Sequence, residues 1–133
     1  MLGGYADIQD RVFVGGGSVV NQFTRMGATS FLQRLSAISK DIPPFSIAVG
    51  KNAVSTINIV GLRRAGFSLV LRNEVKEAFA LFYRSGWNST QAVGEARKRS
   101  WSKEISLFWD FVATSKRGIC SVVRRKKIRG TED

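Results

Sequence analysis

Ile8-Gln-Asp-Arg-Val-Phe-Val14-Gly-Gly-Gly-Ser-Val-Val20-Asn-Gln-Phe-Thr-Arg-Met26-Gly-Ala-Thr-Ser-Phe-Leu32-Gln-Arg-Leu-Ser-Ala-Ile38 is the stretch that decides the fold. Every sixth residue in it is aliphatic: Ile8, Val14, Val20, Met26, Leu32 and Ile38. Four places after each lie Val12, Ser18, Thr24, Ser30, Ser36 and Ile42, five of which are Ser, Thr or Val. An α-helix would scatter both columns round its circumference, and a flat strand has no use for a period of six. A three-sided coil of short strands needs that period. Each side turns one aliphatic residue inward, a small or β-branched residue fits near the corner, and stacked coils satisfy each other's backbone groups. The pattern therefore predicts a parallel β-helix. Gly15-Gly16-Gly17 and Gly27 fall where turns belong. A phosphate-binding loop is the rival reading of the triplet, but the Lys-Ser/Thr that should follow is missing.

Outward from this core, residues 1–45 read as the last coils of such a repeat. They make only about two coils, where arrays of this kind need three units and a cap. Ile8 is already in register, so the first coil offers an open edge and the chain reads as starting in the middle of a fold. Pro43 and Pro44, in Asp41-Ile-Pro-Pro-Phe45, lack ladder donors and are expected to end the repeat. An irregular connecting segment is expected over 46–67, a helical C-terminal domain over 68–120 and a basic tail over 121–133. Ser68 can cap a first helix carrying Leu71, Val75, Ala78, Phe79 and Phe82 on one face, with Gly86 as its stop. Asn88 or Ser89 can cap a second, from about Thr90 to Arg99. A third, from about Ser102 to Ser115, aligns Ile105, Phe108, Trp109 and Val112. The stripes read as core; whether they pack internally, on the repeat or on a neighbour stays open.

Composition bounds the chemistry. The chain has 133 residues, one small domain's worth, with 21 Lys and Arg against 10 Asp and Glu, a net charge of +11. Such a field attracts acidic partners. Histidine is absent and Cys120 is the single cysteine, which excludes His-dependent triads, an internal disulfide and a Cys/His zinc site. No metal or cofactor is expected. No run reaches the about eighteen apolar residues of a membrane span, and the first residues carry no signal pattern, so the expected location is cytoplasmic. Asp7 and Asp10 could pair as acid and base, but in a hexad array they read more simply as solvated turn residues. Arg63-Arg64, beside glycines, suits phosphate recognition by planar guanidinium forks, or is an exposed basic pair. Lys116, Arg117, Arg124, Arg125, Lys126, Lys127 and Arg129 form either a solvated tail or an electrostatic handle; no aromatic interrupts Arg124 to Arg129, which weakens a base-stacking role.

Gly16-Gly-Ser-Val-Val-Asn-Gln-Phe-Thr-Arg-Met-Gly27, Asp41-Ile-Pro-Pro-Phe45, Asn58-Ile-Val-Gly-Leu-Arg-Arg-Ala-Gly-Phe-Ser68, Tyr83-Arg-Ser-Gly86 and Ser115-Lys-Arg-Gly118 together resemble the acyl-carrier-protein–UDP-N-acetylglucosamine O-acyltransferases. The resemblance implies a left-handed parallel β-helix, truncated here, followed by a helical domain and assembled as a homotrimer. It implies transfer of a 3-hydroxyacyl group from acyl carrier protein to the sugar 3-hydroxyl of UDP-N-acetylglucosamine, the opening step of lipid A synthesis. An acidic carrier protein then explains the basic surface more economically than nucleic acid.

By resemblance, the Gly4 backbone N–H stabilises the thioester oxyanion, Gln22 lies near the nucleotide sugar, and Asn58 and Arg64 contact the nucleotide. Tyr5 and Asn21 stand where the family commonly has histidines, and Ala65 replaces a second arginine. The family's general-base histidine belongs to earlier coils. This chain is therefore expected to be the C-terminal portion of such an enzyme, without acyl transfer on its own. A non-catalytic basic binding module, or a decayed trimeric remnant, is the alternative.

Overall fold

The computed structural model describes residues 1–123; Arg124 to Arg129, the core of the expected basic tail, lie outside the described residues. Six two-residue strands open the chain: β1 Asp7–Ile8, β2 Phe13–Val14, β3 Val19–Val20, β4 Arg25–Met26, β5 Phe31–Leu32 and β6 Ala37–Ile38. The first three each pair in parallel with the strand eighteen residues on, Asp7 opposite Arg25, Phe13 opposite Phe31 and Val19 opposite Ala37. One coil is thus eighteen residues, six on each of three sides. Val20, Met26, Leu32 and Ile38 point into the core at 0–2% exposure, while Ile8 and Val14 in the first coil are half-buried. In the second column Ser18 is put to use: its hydroxyl donates to Gln33 O at 2.9 Å and accepts from Ser36 N at 3.2 Å, tying coil to coil.

The corners hold a pattern of their own. Tyr5, Arg11, Gly17, Phe23, Thr29 and Leu35, again six apart, all have φ between 58° and 73°. Only one is glycine, and such a conformation costs a larger residue about 1–2 kcal/mol. Cross-coil hydrogen bonds offset it: the N–H groups of Phe23, Thr29 and Leu35 donate to Gly4, Asp10 and Gly16 carbonyls at 3.3, 2.9 and 2.9 Å. The glycine triplet belongs to this geometry rather than to a phosphate loop. A Cβ on Gly15 would lie 2.3 Å from Arg34 N in the next coil, and Gly17 sits at a corner under Leu35.

The prolines do not end the repeat; they shorten it. β7, Ser46–Val49, still stacks in parallel on β5, with Phe31 opposite Ile47, a spacing of sixteen instead of eighteen. The segment expected as an irregular connection is built from β7, an antiparallel partner β8, Ala53–Ile57, and a short helix α1, Ile59–Arg64. Gly50 and Asn52, both at positive φ, make the hairpin turn between the strands. The first residues of the expected tail are also structured: β9, Ser121–Val122, pairs with β8 and completes a five-stranded sheet β2-β5-β7-β8-β9.

The helices follow close to expectation. Ser68 caps α2, Leu69–Tyr83, its hydroxyl accepting from Leu71 N at 3.2 Å. Asn88, not Ser89, caps α3, Ser89–Ala96, through a reciprocal box with Gln91. That helix ends three residues before Arg99, where the indole N–H of Trp101 takes the Ala96 carbonyl at 2.9 Å. Helix α4, Lys103–Ala113, has no side-chain cap; the Ser102 N–H and its hydroxyl, the latter at 2.6 Å, instead donate to the Glu74 carboxylate on α2 and tie the start of α4 to that helix. The stripes pack on one another, Phe82 edge-on to Phe108 and Trp109, and also on the end of the coil, where Phe45 lies 5.5 Å from Phe67 and 6.5 Å from Phe108. Asp41, fully buried, locks this junction by accepting from Arg25 N at 2.9 Å and from the Ser115 hydroxyl at 2.7 Å. Arg25 completes it, its guanidinium 4.0 Å above the Phe111 ring. No helix among the described residues is long and apolar enough to cross a membrane.

Candidate functional site

Asn58 is the hinge of the site. Its Oδ1 accepts from Gly61 N at 3.1 Å, capping α1, and its Nδ2 donates to Thr29 O at 2.9 Å, a corner residue of the coil. Each end of the amide makes one bond, which holds α1 against the repeat, and Asn58 itself lines the adjoining cleft. The fit is close: a Cβ on Gly61 would lie 2.3 Å from Asn58 Nδ2. Held there, α1 directs Arg64 into a cleft of about 580 Å³, lined also by Arg11, Phe13, Phe31, Gln33 and Val60. Phe13 and Phe31 stack at 4.7 Å and 9°, so the cleft presents an aromatic face and two guanidinium-bearing residues. A flat ring system and an anionic group could be held together there, the one by stacking and the other by bidentate hydrogen bonds. Arg63 is exposed and does not line this cleft; Ala65 closes α1, its N–H donating to Gly61 O at 2.9 Å.

The other residues singled out by sequence lie elsewhere. Gly4, Tyr5, Asn21 and Gln22 gather at a different corner, where the first coil passes over the second; all four are exposed. Tyr5 stacks on Phe23 with centroids 5.3 Å apart and rings 2° from parallel. Space beside Gly4 is open, with nothing within 4 Å of an added Cβ. Tyr5 and Phe23 border a second cleft of about 550 Å³ with Asp7, Arg25, Asp41, Thr114, Lys116 and Arg117. Within one chain, then, the Asn58–Arg64 group and the Gly4–Gln22 group occupy separate corners.

Two titratable groups, half-buried Tyr83 and buried Cys120, lie between the helices and β9. The Tyr83 hydroxyl donates to Cys120 O at 2.8 Å, and burial pushes its pKa far up. Burial, helped by the charge of Asp41, pushes the Cys120 thiol up to about 12. At neutral pH both are protonated and unreactive, which suits a structural role. Arg11, Phe13 and Phe31 were not singled out from sequence, although the eighteen-residue coil predicts that 13 stacks on 31.

A family model described as UDP N-acetylglucosamine O-acyltransferase, domain 2, matches residues 41–120. The acyl-acyl-carrier-protein–UDP-N-acetylglucosamine O-acyltransferase of Burkholderia lata is 37% identical over 124 residues, covering 89% of this chain and 47% of the relative. Among solved structures, LpxA from Acinetobacter baumannii superposes with a TM-score of 0.82 at 34% identity, covering 89% of this chain and 47% of its own. The UDP-N-acetylglucosamine acyltransferase from Campylobacter jejuni gives 0.85 at 29% identity, with 92% and 48% covered. The chain spans about half the length of the curated relatives it matches.

Proposed function

Because the chain belongs to the UDP-N-acetylglucosamine O-acyltransferase family, we propose that it supplies the C-terminal, nucleotide-contacting portion of such an enzyme. The reaction would move a 3-hydroxyacyl group from acyl carrier protein to the 3-hydroxyl of UDP-N-acetylglucosamine, at the start of lipid A synthesis in the cytoplasm. The observation that carries this reading is the cleft beneath α1, where Arg64 and Arg11 border a stacked aromatic pair. A uracil ring against Phe13 and a diphosphate against Arg64 match those surfaces in kind. Gly4 and Gln22 would serve the acyl and sugar ends of the same reaction. Their place at another corner supports a homotrimer in which each site takes one corner from each of two neighbouring subunits. The acidic carrier protein would meet Arg25, Lys116 and Arg117 around the second cleft.

The chain contains no histidine, and a general base is worth about 10²–10⁴-fold in such reactions. The 133 residues are proposed to bind the nucleotide sugar without transferring an acyl group. Calorimetry with UDP-N-acetylglucosamine tests this. Arg64→Ala is expected to weaken binding by about tenfold, the loss of one charge-assisted contact. Unchanged affinity in Arg64→Ala, or robust acyl transfer by the chain alone, would overturn the proposal.

A further inference from the structure

Strand β9 is the outer member of its sheet: β8 pairs with it on one side, and no strand among the described residues pairs with it on the other. The Val123 N–H donates to Val54 O at 2.7 Å. The Val122 carbonyl belongs to the same trans peptide and therefore points away from β8. In an extended residue the N–H lies on the side of its own carbonyl, so Val122 turns a donor and an acceptor to the open side. That side is a groove rather than a bare edge. About 600 Å³ lies between β9, the end of α2 and the start of α3. Phe82 and Tyr83 line it from α2, and Trp87, 43% exposed, from the turn before α3. The Tyr83 hydroxyl already serves the Cys120 carbonyl at 2.8 Å, which leaves Val122 to offer main-chain bonds to the groove.

Charge around the groove is one-sided. None of its lining residues is acidic. Arg84 ends α2, Lys116 and Arg117 precede β9, and Arg124, Arg125, Lys126 and Lys127 follow it in the sequence. A groove between a sheet edge and a helix takes an extended peptide as an added strand, with main-chain bonds giving affinity and side-chain contacts giving specificity. Like charges keep two copies of such an edge apart, whereas an acidic strand is drawn to it. We propose that this groove binds an acidic, extended segment of a partner protein. One residue of the segment exchanges both main-chain bonds with Val122, as in an antiparallel pair, and an apolar side chain of the segment rests against Trp87.

The test uses the whole 133-residue chain, labelled with nitrogen-15, and a short end-blocked peptide of alternating glutamate and valine. The Val122 amide and Trp87 indole signals are expected to shift and saturate together, and the Val122 N–H to exchange more slowly with solvent. A lysine–valine peptide of the same length should leave both signals in place. Val122→Pro removes the outward N–H and spares the ladder to β8, because an edge strand tolerates proline there. It is expected to weaken the glutamate–valine peptide about tenfold, the upper end for one backbone hydrogen bond. Methylating the peptide's own backbone nitrogens tests the same pairing with the protein unaltered, and a similar loss is expected. No binding, equal binding of the two peptides, or an affinity unchanged by both Val122→Pro and the methylation would overturn the proposal. So would a Val122 N–H already protected in the free chain, which would mean that the chain's own residues cover the edge. Single-stranded RNA moving the same two signals in place of the peptide would equally contradict it.

Discussion

The first and the last coil of the repeat share one pattern and are packed differently. At the far end Met26 and Leu32 are fully enclosed, Asp41 ties the coil to the turn after α4, and Phe45 reaches into the helical core. At the near end Ile8 and Val14 occupy the same inward column but are only half-buried, and Tyr5 and Phe13 are exposed. A period of six specifies the cross-section of the coil and says nothing about how it closes. Closure takes residues outside the period: one buried carboxylate, an arginine over a phenylalanine, and a hairpin that carries the sheet on to β9.

Truncating one inward column at both ends makes the sharpest test of that contrast. Met26→Ala is expected to cost about 3 kcal/mol and Ile8→Ala about 1 kcal/mol in urea unfolding, since the cost follows the cavity left behind. Equal losses would break the comparison, because they would mean that the first coil is as covered in solution as the second. Asp41→Ala comes next. It strands the Arg25 N–H and the Ser115 hydroxyl at the junction, for an expected loss of about 2 kcal/mol. Asp7→Ala, on an exposed side of the first coil, should stay within about 0.5 kcal/mol. A neutral Asp41→Ala would remove the carboxylate from the closure.

A smaller effect should appear with pH. Cys120 is held protonated by burial, its pKa raised to about 12, while in the unfolded chain a thiol ionises near about 8.5. Above that pH the unfolded state releases a proton that the folded state keeps. The stabilisation is therefore complete below about pH 8.5 and declines as pH rises towards 12. Thermal midpoints between pH 7 and 11 should fall, and fall less in Cys120→Ala; Tyr83, shifted in the same direction, sustains a residual slope above about pH 10. An identical slope in the variant would contradict the assignment to Cys120.

Much of this was legible beforehand, unevenly. The inward columns could be read because packing leaves a chemical mark every six residues. The corners could not, since Tyr5, Arg11, Phe23 and Leu35 share a backbone conformation and no side-chain chemistry; the ladder between coils imposes it. The hairpin of β7 and β8 had readable signs in Gly50 and Asn52, but the two prolines suggested an ending where the coil only shortens. At the site, Arg64 was visible as half of a basic pair and Asn58 only through the resemblance; both line the cleft, and Asn58 also positions α1. Arg11 and Phe31 carried no local mark, because their partners lie eighteen residues or more away and the period of six marks only the inward columns.

The proposal that each site joins two corners from neighbouring subunits is tested most directly by mixing variants. Gln22→Ala and Arg64→Ala chains, each expected to bind UDP-N-acetylglucosamine weakly, are unfolded together in equal amounts and refolded, and tight sites are counted by calorimetry. If each site takes one corner from each of two neighbours, random assembly restores about one quarter of the sites to wild-type affinity. A mixture with no tight sites, binding as the average of its two parents, would contradict the account.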